Sequence, residues 1–291
     1  MNMLLWPKFK NIFDENVASI MKLQPIEIRI GAKVKPHVVG TRYAEFAAGV
    51  LLLNEGYDDD ILVANLKRLR GEVDKFFIRS ADRIPPQHTK VRLVFLLTNY
   101  HSILSILASH NQSDSDDAKY WRDQVGIETS RIVEEELIEV FPSLVEFIRT
   151  MTEEETRAKR ENRAVQLNGR LGFDRFKQVV QQFNSNWKEG IEKFHNDIRK
   201  QFEHDQDGQS KGGQSSSSSS SSSSLGSSRD QLDDIFMRTL TQLMLYCETL
   251  DKMLKESYRP IIQQNEYQQV NQLLVPPRLI TIEVKNSKYR K

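Results

Sequence analysis

Large apolar side chains recur at every third or fourth residue over a stretch of thirty residues in the second half of the chain. They are Phe173, Phe176, Val180, Phe183, Trp187, Ile191, Phe194, Ile198 and Phe202. This spacing places all of them along one side of an α-helix about 45 Å long. Such a stripe must be buried against other helices, and its rings are bulky for a two-stranded coiled coil. The segment therefore predicts a bundle of several helices.

Shorter segments elsewhere in the chain show the same helical spacing. We predict helices at about residues 6–20, 43–51, 58–83, 89–109, 120–140, 142–151 and 236–254. The segment 89–109 is apolar around most of its circumference, which is typical of a helix at the centre of a bundle. The sequence therefore predicts an all-α fold, an elongated and rod-like multi-helix bundle.

Two segments have no clear helical pattern. Residues 25–39 contain a short alternation of isoleucines interrupted by Gly31 and Pro36, and we predict a loop there. The tail, residues 279–291, allows two interpretations. Its β-branched residues favour a strand, whereas Pro276 and Pro277 before it could equally open a helix.

A serine-rich segment separates two of the predicted helical regions. Residues 205–229 contain ten consecutive serines with glycines around them, so this segment cannot bury much apolar area. We predict a disordered linker that leaves the bundle intact. The chain would then consist of a first bundle part (1–204), the linker, and C-terminal helices that complete the bundle (230–291).

Charge and cysteine content narrow the possible classes of function. The chain has 41 basic and 40 acidic residues and a net charge of +1, whereas a dedicated nucleic-acid-binding protein usually has a clear basic excess. A single cysteine, Cys247, excludes a disulfide within the chain and fits a reducing, cytosolic setting. We find no apolar run near the roughly 20 residues needed to span a bilayer.

The sequence has no motif that indicates catalysis. Nucleotide-binding loops, nucleophile elbows and zinc-binding histidine pairs do not occur, and the six histidines lack metal-ligand spacing. Cys247 falls on the apolar stripe of its helix, which favours a buried thiol over a nucleophile. We interpret the acidic residues Glu134, Glu135, Glu136 and Glu139 as a solvated helix face. We therefore expect no enzyme activity, no catalytic residue, no cofactor and no metal.

Two charged segments leave a second class of function open. Residues 152–166 contain several arginines and lysines, but interspersed glutamates offset them and favour an exposed helical connector. The basic tail with Lys285, Lys288, Arg290 and Lys291 is a better candidate for weak contact with an anionic membrane. The alternative to a protein-binding scaffold is therefore a helical membrane-surface or nucleic-acid-binding scaffold.

Several short stretches, in the same order along the chain, resemble the vacuolar protein sorting protein 52 family. They are Trp6-Pro7-Lys8-Phe9, Asn16-Val17, Pro36-His37, Thr41-Arg42-Tyr43-Ala44-Glu45-Phe46, Leu93-Val94-Phe95-Leu96-Leu97-Thr98-Asn99-Tyr100, Phe183-Asn184-Ser185-Asn186-Trp187-Lys188 and Leu240-Thr241-Gln242-Leu243. The resemblance is to the C-terminal half of that family. The N-terminal coiled-coil region through which its subunits assemble has no counterpart among these motifs.

The resemblance implies a function in membrane traffic. Members of this family are subunits of the Golgi-associated retrograde protein tethering complex, which captures endosome-derived vesicles at the trans-Golgi network. The expected partners are sister subunits, SNARE proteins and a Rab-type small GTPase, with peripheral membrane association through those partners and no nucleic acid. The best surface candidates are Arg42, Tyr43 and Glu45, which could contact a partner, although capping and packing of the helix start are favoured.

Overall fold

The computed structural model describes residues 2–31, 34–56, 59–161, 169–202 and 222–286, and their regular structure is helical. The α-helices are α1 (Asn2–Lys22), α2 (Val38–Asn54), α3 (Asp60–Ala81), α4 (Thr89–Ser109), α5 (Asp116–Val140), α6 (Pro142–Arg160), α7 (Gly169–Phe202), α8 (Ser222–Lys252), α9 (Gln264–Leu273) and α10 (Pro277–Asn286). The all-α fold predicted from the sequence is confirmed. The chain divides into two compact units, residues 1–132 and 133–291.

Helix α4 forms the core of the first unit. Leu93, Leu96, Leu97, Tyr100 and Ile103 are almost completely buried, and α2 and α3 pack against this helix. The bounds of α4 coincide with the segment 89–109 that the sequence predicts as the central helix. A helix buried on most of its sides needs apolar residues around its circumference, and this is the pattern by which the sequence identifies it.

The segment around α4 is also apolar and long enough to cross a membrane. Among the described residues, the stretch Pro86–Ser109 meets this criterion of length and composition, whereas we expected no such run from the sequence. Half of the most apolar part of this stretch is buried inside the protein. Burial against α2 and α3 gives this helix the properties of a core helix in a globular unit.

The loop between α1 and α2 is held at both ends by hydrogen bonds to other helices. At its start, the Ile26 backbone N–H donates to Ser80 Oγ at 3.1 Å. At its end, the His37 backbone N–H donates to Asn99 Oδ1 at 2.8 Å, and His37 Nδ1 accepts the Val39 N–H at 3.2 Å as the N-cap of α2. These bonds fix where α2 begins. The described residues between Lys22 and Val38 are not helical, as predicted, but α2 starts at Val38, inside the predicted loop.

Helix α7 organises the second unit, as its stripe predicts. Its apolar residues from Phe173 to Ile198 are buried, while the side chain of Phe202 lies outside the described part. Phe194 packs against Phe236 of α8, with ring centroids 5.6 Å apart. Phe176 contacts Tyr258, which lies in the π-helical segment Met253–Tyr258 after α8, at 4.9 Å. The stripe therefore meets several neighbours, as expected for a bundle.

A glycine lets α7 approach the junction between α5 and α6. A Cβ atom added at Gly190 would lie 2.9 Å from Val140 Cγ1 and within 2.5 Å of Phe141 Cε1. Phe141 is itself buried and packs edge-on against Phe183 at 5.2 Å. Because no side chain fits between these groups, glycine at this position sets the distance between the two chain segments.

Three details differ from the sequence predictions or decide between them. The last part of the predicted linker, residues 222–229, is helical because α8 begins at Ser222, and serine is only modestly unfavourable in a helix. Residues 205–221 lie outside the described part, so the linker and the division around it stay predictions. The tail forms α10 up to Asn286, so the helical alternative is confirmed. Glu136 is fully buried rather than solvated, as are Ile132 and Leu137 near it on α5.

Candidate partner-binding surface

Helix α2 has one face in the core of the first unit and one face in solvent. The buried face includes Tyr43, Ala44, Ala47, Ala48 and Val50. The exposed residues are Val38, Arg42, Glu45, Gly49, Leu52 and Leu53, and we call this row the α2 stripe. Its members follow one another mostly at steps of three or four, so they form a continuous strip along the helix.

The structure separates the three predicted contact residues. Arg42 and Glu45 lie on the α2 stripe with their side chains in solvent. Tyr43 points the opposite way and is 3% exposed, so it cannot contact a partner without unfolding the helix. Its hydroxyl donates to Asp117 Oδ1, and its ring packs edge-on against Trp121 at 5.7 Å. Packing, which the sequence analysis favours for this trio, is therefore the role of Tyr43.

Small residues on the buried face bring α2 close to its neighbours. A Cβ atom added at Gly40 would lie 3.1 Å from Phe77 Cζ of α3 and 3.5 Å from Ile103 Cγ1 of α4. The alanines at positions 44, 47 and 48 are also buried, with exposures of 0–1%. Tight packing over this face leaves little freedom for α2 to shift, so the α2 stripe is held on a rigid support.

Behind α2, buried polar side chains join α3, α4 and α5. Arg70 Nη1 lies 3.3 Å from Asp117 Oδ1, and its guanidinium stacks over the Tyr120 ring at 4.3 Å. Asp74 accepts hydrogen bonds from the hydroxyls of Tyr100 at 2.7 Å and Tyr120 at 2.6 Å. The carboxylates and the guanidinium thus have hydrogen-bonded or charged partners, which offsets the cost of burying them.

The tyrosines of this cluster are poor candidates for chemistry. Burial, reinforced by the neighbouring Asp117, raises the pKa of Tyr43 well above its ordinary value. Burial and Asp74 raise the pKa of Tyr100 and of Tyr120 in the same way. All three hydroxyls therefore stay protonated at neutral pH and donate hydrogen bonds to carboxylates. Their role is to hold α5 against α3 and α4, beneath the surface that α2 presents.

Two leucines at the end of the α2 stripe were missed by the sequence analysis. Leu52 is 61% exposed and Leu53 is 75% exposed. They precede the turn into α3, where Asp59 caps the helix and Ile61 is also exposed. A signal was present, because residues 50–53 are four consecutive apolar residues and a helix with one buried face cannot cover them all. Exposed apolar side chains on the same helix face as the charged Arg42 and Glu45 are typical of a protein-binding surface.

The described residues contain no group of three or more histidines, cysteines, aspartates or glutamates that could hold a metal ion. Cys247 is buried in α8, as predicted, and burial raises the pKa of its thiol to about 12. A thiol with this pKa is a weak nucleophile at neutral pH.

Comparison with known proteins shows similarity to one family. The sequence model described as "Vps52, C-terminal" matches residues 1–133. Vacuolar protein sorting-associated protein 52 A of Arabidopsis thaliana is 32% identical over 197 residues, which make up 68% of this chain and 26% of that protein. The vacuolar protein sorting-associated protein 52 homolog of Homo sapiens is 30% identical over 207 residues, or 71% of this chain and 27% of that protein. No solved structure matches the chain.

These matches cover only part of each relative, and the region that the family model matches includes the α2 stripe. The chain spans about a quarter of the length of the curated relatives it matches. The α2 stripe lies inside the matched residues 1–133, together with the buried cluster that supports it.

Proposed function

Because the chain belongs to the Vps52 family, whose C-terminal region it matches, we propose that it is a non-catalytic subunit of a vesicle-tethering complex. The complex would act in retrograde transport from endosomes to the trans-Golgi network. In this proposal the chain catalyses no reaction. It presents helical surfaces to sister subunits, to a Rab-type small GTPase or to SNARE proteins, and it reaches membranes from the cytosol.

The observation that carries the proposal is the α2 stripe on its rigid support. Arg42 and Glu45 supply charges of opposite sign, while Leu52 and Leu53 supply apolar area at one end of the row. Protein interfaces combine apolar area with polar and charged groups, and this row contains both. A preorganised surface also binds with a smaller loss of conformational entropy than a mobile one. The α2 stripe therefore supports recognition of a protein partner.

A buried cluster without chemical reactivity further supports a scaffold. Two side chains with raised pKa values, Tyr43 and Tyr100, are fully enclosed and already hydrogen-bonded to carboxylates. An enzyme would need such groups in a cleft that a substrate can enter. Here they join helices, which suits a protein that must keep the shape of its surface.

Affinity purification tests this function directly. The full chain would be tagged at its own locus, purified from its own cells, and the recovered proteins identified by mass spectrometry. We expect sister subunits of the tethering complex, with a Golgi SNARE or Rab-type GTPase in smaller amounts. Recovery of none of these from cells in which the tagged chain is folded and expressed would contradict the proposal.

A further inference from the structure

A second surface of the first unit lies where the loop after α1 meets the end of α3. Its exposed members are Lys22, Leu23, Arg29, Ile30, Lys35, Ile78, Arg79 and Arg83, and we call it the α3-end surface. It contains none of the residues of the α2 stripe. The motifs that suggest the family do not include these residues.

One hydrogen bond holds the loop after α1 against the end of α3. The Ile26 N–H is bonded to Ser80 Oγ, and Arg79 and Arg83 lie one and three residues from Ser80. Ile30 is four residues beyond Ile26, so the chain can carry it at most about 14 Å away. The loop returns at His37, whose ring centroid is 5.5 Å from that of Phe76 on the same stretch of α3.

Within the described part of the protein, the cations of the α3-end surface are not engaged in ion pairs. Lys22, Arg29, Lys35, Arg79 and Arg83 form no ion pair with a described residue. The neighbouring Asp82 is neutralised by Arg92, whose Nη2 is 2.9 Å from its Oδ1. Besides Asp82, the described exposed residues of segments 22–35 and 78–83 include one acidic side chain, Glu27, against these five cations, whereas the whole chain has a net charge of +1. Such local concentration of one sign attracts an anionic partner.

Exposed aliphatic residues adjoin three of these cations along the chain, because Leu23 follows Lys22, Ile30 follows Arg29 and Ile78 precedes Arg79. Ile30 is 49% exposed at a turn that Gly31 makes with a φ of 80°, a conformation that glycine adopts without strain. Leu23 and Ile78 are exposed as well. An aliphatic residue at the tip of a turn with lysines and arginines around it matches the boundary of a bilayer, where acyl chains adjoin phosphate head groups.

We propose that the α3-end surface binds directly to the surface of an anionic lipid membrane. The cations would contact lipid phosphates and carboxylates, while Ile30 would enter the boundary between head groups and acyl chains. An acidic protein is the less favoured partner, because the described residues of this surface lack the aromatic side chains that anchor protein interfaces. This contact goes beyond the proposed function, in which partners supply the membrane association.

Vesicle flotation with the purified full chain tests the proposal. Vesicles of phosphatidylcholine containing about one third phosphatidylserine would be compared with pure phosphatidylcholine at about 0.15 M salt. We expect the chain to float with the anionic vesicles only. The variant Arg79→Ala/Arg83→Ala should bind them about 30-fold more weakly, since each basic residue near such a surface contributes about fivefold. Ile30→Ser should also weaken binding, without changing its dependence on salt.

A matched variant distinguishes vesicle binding through this local surface from binding that depends only on the net charge of the chain. Lys159→Ala/Arg160→Ala removes two exposed cations from the last turn of α6 and should bind the vesicles like the wild type. Equal losses in both double variants, or no flotation of the wild type, would overturn the proposal. It would also be overturned if Arg79→Ala/Arg83→Ala floated normally but lost co-purifying proteins, because the surface would then serve a protein partner. Flotation without recovery of tethering subunits would instead contradict only the proposed function.

Discussion

The guanidinium of Arg70 lies 3.3 Å from the carboxylate of Asp117 in the interior of the first unit, where both side chains are almost fully buried. The two residues come from α3 and α5, so their ion pair joins helices that are distant in the sequence. Asp117 also accepts the hydroxyl of Tyr43 from the buried face of α2. One carboxylate thus holds together three helices around the support of the α2 stripe.

Replacement of this carboxylate should destabilise the first unit. Asp117→Asn leaves the buried guanidinium without its counter-charge, and we expect a loss of about 3 kcal/mol in the free energy of unfolding. Asp116→Asn is the control, because Asp116 lies in the same helical turn but its carboxylate is exposed beside Lys119. Its loss should be at most about 1 kcal/mol. Urea unfolding measures both, and equal losses would contradict the role of Asp117.

Two glycine-to-alanine changes should have opposite effects. Gly190→Ala places a methyl group against Phe141 and Val140, and we expect it to cost about 1–3 kcal/mol despite the higher helix propensity of alanine. Gly126→Ala meets no atom within 4 Å and should stabilise the protein by up to about 1 kcal/mol. Urea denaturation of both variants tests the close approach at Gly190. Stabilisation by both changes would show that Phe141 can move aside.

The thiol of Cys247 should be inert in the folded protein. Burial raises its pKa from 9.0 to about 12, so the thiolate fraction at pH 8 is about a thousandfold lower than in the unfolded chain. Between pH 9 and 12 the unfolded chain loses this proton first, and the thiol therefore lowers stability as the pH rises. Alkylation by iodoacetamide, followed by mass spectrometry with and without urea, measures the difference. Rapid alkylation without urea would contradict the burial of Cys247.

Acidification should weaken the start of α2. Burial lowers the pKa of His37 below 6.5, and its Nδ1 must be unprotonated to accept the Val39 N–H. The unfolded chain therefore binds a proton more readily, and the contribution of His37 to stability is lost as the pH falls below about 6.5. His37→Asn retains a capping oxygen that does not titrate. Its free energy of unfolding should fall less between pH 7 and pH 5 than that of the wild type, and equal falls would exclude this role.

The helices could be predicted because their signal is local. The stripe of α7 and the all-round apolar character of α4 are properties of continuous segments, and they identify both elements without knowledge of their neighbours. The capping role of His37 and the choice between strand and helix for the tail depend on particular contacts and dihedral angles. Residue propensity alone therefore cannot decide between strand and helix for the tail.

Only part of the candidate site could be predicted, because the burial of its other residues depends on partners from distant helices. Arg42 and Glu45 are exposed as expected, but Tyr43 is buried because Trp121 and Asp117 receive its ring and hydroxyl, and both come from a distant helix. Arg70 and Asp74 are charged, so sequence reasoning assigns them to the solvent. They are buried because each finds a partner on α5, and such pairing is visible only once the chain is folded.

Partner recovery with α2-stripe variants tests our claim that this chain acts through a rigid helical surface. Arg42→Ala/Glu45→Ala and Leu53→Asp change only exposed side chains, so both should keep the wild-type melting temperature. Asp234→Ala/Arg238→Ala removes an exposed ion pair of α8 and serves as the control. We predict that the two α2-stripe variants lose the co-purifying tethering subunits and that the control retains them. Full recovery of those subunits by folded α2-stripe variants would contradict the claim.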